Sequence, residues 1–137
     1  MFTASAGPLF SGGQDGVLAA DVDGDGDTDL VATVGAKISV STNNGSGSFA
    51  TPVNYQTLDN LVQEGSSADF NADGKIDLIV GAPMSDASAK DAGQVSVFNG
   101  ISKTLLYTRN GTQKAEHFGA AVAVASGHLF VGSPQFD

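Results

Sequence analysis

Twice in this chain, 48 positions apart (69 − 21), a run of alternating acidic residues leads at once into an apolar, β-branched run. The first is Asp21-Val22-Asp23-Gly24-Asp25-Gly26-Asp27-Thr28-Asp29, followed by Leu30-Val31-Ala32-Thr33-Val34. The second is Asp69-Phe70-Asn71-Ala72-Asp73-Gly74-Lys75-Ile76-Asp77, followed by Leu78-Ile79-Val80-Gly81-Ala82. A unit that recurs at such a spacing buries its apolar face only against its neighbours, so the chain must stack copies of one supersecondary motif. Short apolar runs bounded by glycine read as buried strands, and the stretches ahead of the loops, Val17-Leu18-Ala19-Ala20 and Ser66-Ser67-Ala68, are small and apolar too. Each acidic run is therefore placed as the connection of a β-hairpin.

Both loops read D-x-[DN]-x-D-G-x-x-D. Positions 1, 3 and 5 put side-chain oxygens around one point, Gly26 or Gly74 permits the sharp turn after them, position 7 offers a backbone carbonyl, and position 9 returns a carboxylate. Donors that are all oxygen favour calcium over zinc or copper. The candidate ligands are Asp21, Asp23, Asp25, the carbonyl of Asp27, and Asp29 in the first loop. In the second they are Asp69, Asn71, Asp73, the carbonyl of Lys75, and Asp77. Asp-Gly turns also connect hairpins with no ligand at all. Against that reading stand five Asp within nine residues, which repel one another unless a cation neutralises them. Asn71 and Lys75 reduce the charge of the second loop, which is expected to bind calcium more weakly. The start of each loop looks like that of an EF-hand, but position 12, where that motif closes with a bidentate Glu, is Ala32 or Val80.

Eight of the 15 acidic residues lie in these loops: Asp21, Asp23, Asp25, Asp27, Asp29, Asp69, Asp73 and Asp77. The charge is thus local, and two calcium ions would bring the formal net charge from −9 to −5. The 137 residues include no Cys, which excludes a disulfide framework and a zinc-thiolate site, so stability must come from the core and the bound ions. Six Lys plus Arg without a basic cluster argue against nucleic acid, and no basic amphipathic segment or long apolar run argues for membrane insertion. Met1-Phe2-Thr3-Ala4-Ser5 lacks the features of a secretory signal. Loops of this kind usually stay filled at the millimolar calcium found outside cells, so an extracellular or cell-surface address is expected, with the periplasm as the alternative. His117 and His128 are read as a loop and a strand-edge residue, and nothing forms a nucleophile-base pair, so no enzyme activity is expected.

A third copy of the strand, His128-Leu129-Phe130-Val131-Gly132-Ser133-Pro134, follows 51 positions after the second (129 − 78), with Ala125-Ser126-Gly127 in place of an acidic loop. Between copies lie further strands: Lys37 to Ser41 and Phe49 to Tyr55 in the first unit, Gln94 to Phe98 and Leu105 to Thr108 in the second. Four strands per unit of this length make a propeller blade, and no segment carries a helical period. The expected fold is all-β, built of β-propeller blades of four antiparallel strands, with two complete blades and a partial blade at the termini. The expected divisions are 1–16, an outer strand of a neighbouring or closing blade; 17–60 and 61–115, calcium-binding blades; and 116–137, the inner hairpin of an incomplete blade. Phe10, Phe49, Phe70, Phe98, Phe118 and Phe130 are expected in the core between blades, and Asp86 to Asp91 at an exposed hairpin tip.

Phe118-Gly119 with Val131-Gly132-Ser133-Pro134, and Asp69 through Pro83 followed by Gly93-Gln94-Val95-Ser96-Val97-Phe98-Asn99-Gly100, resemble the FG-GAP repeat of integrin α-subunit propellers and many bacterial surface proteins. The first unit is similar to the related VCBS-type variant, with Asn44-Gly45-Ser46-Gly47-Ser48-Phe49 ahead of its last strand. The resemblance implies a β-propeller with one calcium in the hairpin between the first and second strands of each acidic blade, held by the residues named above. It implies a non-enzymatic module for adhesion, surface display or self-assembly. A carbohydrate-binding propeller, or an accessory domain of a larger secreted hydrolase, is the alternative. Because propellers close with about four to eight blades, the expected partners are further copies of the chain or the remainder of a longer propeller, with a protein or glycan as ligand.

Overall fold

The computed structural model describes residues 16–35, 37–56, 64–125 and 127–134. Among them lie ten strands and no helix. The first four are β1 (Gly16–Ala20), β2 (Asp29–Val34), β3 (Lys37–Ser41) and β4 (Val53–Gln56). The next four are β5 (Glu64–Ala68), β6 (Asp77–Ala82), β7 (Gln94–Asn99) and β8 (Leu105–Asn110), and the last pair is β9 (Ala121–Ala125) and β10 (His128–Gly132). They form two four-stranded sheets, ordered β1-β2-β3-β4 and β5-β6-β7-β8, and a two-stranded hairpin of β9 and β10. Every neighbour is antiparallel and consecutive in the chain. The protein is all-β, with the four-stranded meanders expected of propeller blades.

The sheets stack face to face, which explains why their middle strands are apolar on both sides. In β6, Leu78 and Val80 turn toward the first sheet and join Val22, Val31, Ile38, Val40, Tyr55 and Phe98 in one buried cluster. Ile79, between them in sequence, turns the other way and joins Val95 and Val97 under Phe118, Val122, Val124, Leu129 and Val131 of the last segment. A strand buried on both faces loses the apolar-polar alternation and reads as a continuous run, as Leu78-Ile79-Val80 does. The first strand of each unit lies next to the first strand of the following one, β1 against β5 and β5 against β9, as in a radial array. Tyr55 adds a polar tie, its hydroxyl donating to the Gly100 carbonyl of the second sheet at 3.3 Å while Lys103 lies over its ring at 5.3 Å.

The last segment is anchored by main-chain bonds as well as by packing. The Phe118 N–H donates to Ala92 O at 2.9 Å and the His117 N–H to Asp91 O at 3.1 Å, while the Gly119 N–H closes back within the segment on Gly132 O at 3.0 Å. Gly81 lets this happen: a β-carbon there would stand 2.1 Å from the Gly119 carbonyl oxygen.

Several expectations need correction or qualification. The last strand of the first unit, expected from Phe49, begins at Val53, because Asn44 folds residues 44–48 into a turn and Phe49 bridges back to Asn43 instead. Phe130 is not core but 58% exposed, since β10 has no neighbour among the described residues on its far side. Phe98 is buried, whereas Phe49, Phe70 and Phe118 are half-buried. Residues 86–91 fall in the connection between β6 and β7, with Asp86, Ala87 and Ser88 exposed. The outer strand expected within 1–16, and Phe10 with it, lies outside the described residues apart from Gly16.

Candidate metal centres

Each acidic loop joins the first strand of a sheet to the second, β1 to β2 and β5 to β6. The ladder explains the geometry. Ala20 pairs with Asp29 and Ala68 with Asp77, so the first and last carboxylates of each loop are carried to the same end of the hairpin. Gly26 and Gly74 take positive φ, +96° and +81°, at the turn the loop pattern calls for.

In the first loop the carboxylates organise the backbone from inside. Asp21 accepts N–H bonds from Gly24 at 2.7 Å, Asp25 at 3.1 Å and Gly26 at 3.0 Å. Asp23 accepts from the Asp25 N–H at 3.2 Å and Asp25 from the Asp27 N–H at 2.8 Å. Asp29, wholly buried, accepts from the Val22 N–H at 2.9 Å and the Asn43 N–H at 2.8 Å. Oxygens of Asp21, Asp23 and Asp29 lie within 4.8 Å of one another, and among the described residues this is the one carboxylate trio so close. The Asp27 carboxylate lies against Gly45 of the turn between β3 and β4, outside the Asp21, Asp23 and Asp29 trio.

The second loop repeats the scheme with fewer charges. Asp69 accepts from Asp73 N–H at 3.0 Å and Gly74 N–H at 2.9 Å, Asn71 Oδ1 from Asp73 N–H at 3.0 Å, and Asp73 from Lys75 N–H at 2.9 Å. Asp77, also wholly buried, accepts from the Phe70 N–H at 3.1 Å. Two amide side chains donate into this loop: Asn71 to Asp73 at 2.9 Å, and Asn99 to Asp73 at 3.3 Å and Asp77 at 3.4 Å. Asn99 and Asn43 were not among the residues marked by the loop pattern. The signal for them is the ladder, which sets Asn99 directly opposite Asp77 and ends β3 one residue before Thr42-Asn43.

Electrostatics set these loops apart from ordinary turns. Partial loss of hydration and the charges of Asp29, Asp25 and Asp21 hold the Asp23 carboxyl above its ordinary range, against the pull of the Asp25 N–H. Burial does the same for Asp77, helped by Asp73 and Asp69, although N–H bonds from Phe70 and Asn71 oppose it. Crowded carboxylates that resist ionisation are relieved by a divalent cation, and the donors here are all oxygen. The residues therefore fit calcium, with Asp21, Asp23 and Asp29 already gathered. A bound ion would offset two of the first loop's five negative charges and tie its two ends together.

Residues 21–80 match the family model described as FG-GAP-like repeat. The chain carries an FG-GAP-like repeat. The matched segment starts on the first aspartate of the first loop and ends within β6, so this FG-GAP segment takes in both acidic loops. Integrin alpha-V of Gallus gallus is 35% identical to this chain over 74 residues, which cover 50% of the chain. The chain spans only about 7% of the length of that relative.

Proposed function

We propose that this FG-GAP protein is a non-enzymatic, calcium-stabilised β-propeller module that works outside the cell in adhesion or surface display. The observation that carries the reading is the pair of buried carboxylates, Asp29 and Asp77, each closing a loop of crowded oxygens at the same end of consecutive sheets. An ion bound there couples loop order to sheet order, because it ties the start of the second strand of each sheet to the end of the first. FG-GAP and integrin-like repeats are generally non-catalytic, and the likeness to integrin alpha-V supports an extracellular or surface setting. No helix among the described residues is long and apolar enough to cross a membrane.

The partner in this reading is a further blade, from a second copy or from more of the same propeller. Its support is the hairpin of β9 and β10, which pairs with nothing on the far side of β10 among the described residues and leaves Phe130 exposed. The ligands proposed are those of the loop pattern: Asp21, Asp23, Asp25, Asp27 carbonyl and Asp29, then Asp69, Asn71, Asp73, Lys75 carbonyl and Asp77. Calorimetric titration of chelator-treated protein with calcium tests the reading. Two binding events are expected, with a matching rise in melting temperature, and a flat titration with an unchanged melt would overturn it. Light scattering with and without calcium tests the partner: assemblies larger than one chain are expected, and a monomer at all concentrations would refute self-association.

A further inference from the structure

The two acidic loops touch. A β-carbon built on Gly24 of the first loop would stand 2.9 Å from Lys75 Nζ and 3.3 Å from Lys75 Cδ, so the lysine of the second loop lies along the backbone of the first. Gly24 has φ +78°, and its missing side chain leaves the space the lysine fills. The Gly24 N–H, immediately beneath, donates to Asp21 at 2.7 Å. Lys75 is also the position whose carbonyl the loop pattern assigns to the second ion. One residue thus faces both sites, through its main chain on one side and its ammonium on the other. Nothing reciprocal runs the other way, since Asp27, the matching position of the first loop, carries a negative charge and points to Gly45.

Resting on the calcium reading above, we propose that Lys75 couples the two sites negatively. Its ammonium supplies part of the positive charge that the first loop needs, and it opposes a divalent ion arriving there. Filling the second site fixes the Lys75 backbone and with it the ammonium over Gly24, so each ion weakens the other's binding, and the coupling is reciprocal. The charge is exposed, so the effect is modest and screened by salt.

Calcium alone, titrated into the full chain by calorimetry at low salt, tests this. Lys75→Gln, which keeps the carbonyl, is expected to tighten the first site on the order of threefold to tenfold, an effect that shrinks in roughly 0.5 M salt. Lys75→Met should do the same, and Lys75→Arg should leave the site as it was. In an Asp25→Ala background, which removes the first site, Lys75→Gln should change calcium affinity only by the smaller direct effect of its charge on its own loop. Equal affinity in wild type and both neutral variants, an equal shift in Lys75→Arg, or a shift that survives Asp25→Ala at its full size would each overturn the coupling while leaving calcium binding intact. If neither heat nor melting temperature of the wild type responds to calcium, the calcium reading falls and the coupling with it.

Discussion

The two acidic loops share one sequence pattern and meet their charge in different ways. The first holds five aspartates within nine residues and no side-chain amide of its own, and its buried Asp29 is held by main-chain N–H groups of Val22 and Asn43. The second holds three aspartates, and the side-chain amides of Asn71 and Asn99 donate to two of them, Asp73 and Asp77. Lys75 does not remain in its own loop but leans on Gly24 of the first. The lesson is that the loop pattern specifies where oxygens go, whereas the strand opposite decides how much of their charge is already met. The first loop relies on main-chain donors and on the ammonium that Lys75 brings from its neighbour, and the second is partly satisfied by its own side-chain amides.

Removing calcium is the largest way to break the comparison. Binding to the folded state alone adds about 2.7 kcal/mol per site when free ion is one hundred times Kd, so two such sites together shift the melting temperature by roughly 10–20 °C. A chelator should lower the melt by that order, and a shift of a degree or less would mean the loops hold no stabilising ion. The chelated protein should also respond to pH. Burial and crowding hold Asp77 and Asp23 above their ordinary value of 3.8, so the folded state keeps those protons longer than the unfolded chain. That contribution is complete below 3.8 and is lost as pH rises through the lifted values, so chelated protein should lose stability over that span while calcium restores it.

Next in size are the buried carboxylates themselves. Asp29→Ala leaves two main-chain donors, Val22 N–H and Asn43 N–H, without their acceptor. At about 1–3 kcal/mol for a buried orphaned donor, it should cost about 2–4 kcal/mol in chelator, read by urea unfolding. Asp77→Ala strands the Phe70 and Asn71 N–H groups and loses the Asn99 amide contact, but it also relieves a carboxyl that burial already disfavours, so it should cost less. In calcium both should cost more, because each also removes a proposed ligand. Equal costs in chelator would show that the loops are more alike than their hydrogen bonds indicate.

Asn99→Ala sharpens the contrast from the second loop's side. Its amide donates to Asp73 and Asp77, and its Oδ1 accepts from the N–H groups of Ile101 and Ser102, at 3.1 and 2.8 Å. The expected outcome is a loss of about 1–2 kcal/mol in unfolding and a change in calcium affinity confined to the weaker site. A change at the stronger site would contradict the division of labour between the loops.

How far the sequence alone reaches follows the same division. The loops and the strands after them were legible because period and spacing are local: the acidic pattern, the glycine at its turn, and the apolar run each name their own place. The span Lys37 to Ser41 forms as read, and Leu105 to Thr108 extends to Asn110. What the sequence hid depends on register. Asn99 gains meaning only once the ladder sets it opposite Asp77, and Lys75 only once two sheets bring the loops side by side. Phe49 and Phe130 misled for a related reason, since an aromatic's burial is set by a neighbouring turn or sheet that periodicity does not encode.

The smallest effect is expected at a carboxylate outside the loops, and it isolates what burial does. Glu116 accepts N–H bonds from Thr112 at 2.6 Å and Gln113 at 2.9 Å, much as Asp77 accepts from Phe70, and Ser133 after β10 donates to the Glu116 carbonyl at 3.0 Å. Yet the two groups move in opposite directions. In an exposed setting the N–H bonds dominate and hold the Glu116 carboxyl below its ordinary value of 4.5, whereas burial and like charges lift Asp77. A lowered folded value contributes stability above 4.5 that is lost as pH falls through it, the reverse of Asp77. Glu116→Gln should therefore lower the melting temperature by on the order of 1–2 °C near neutral pH, and the gap between variant and wild type should close in acid. A gap that persists unchanged in acid would place the effect in packing of the 112–116 turn rather than in its charge.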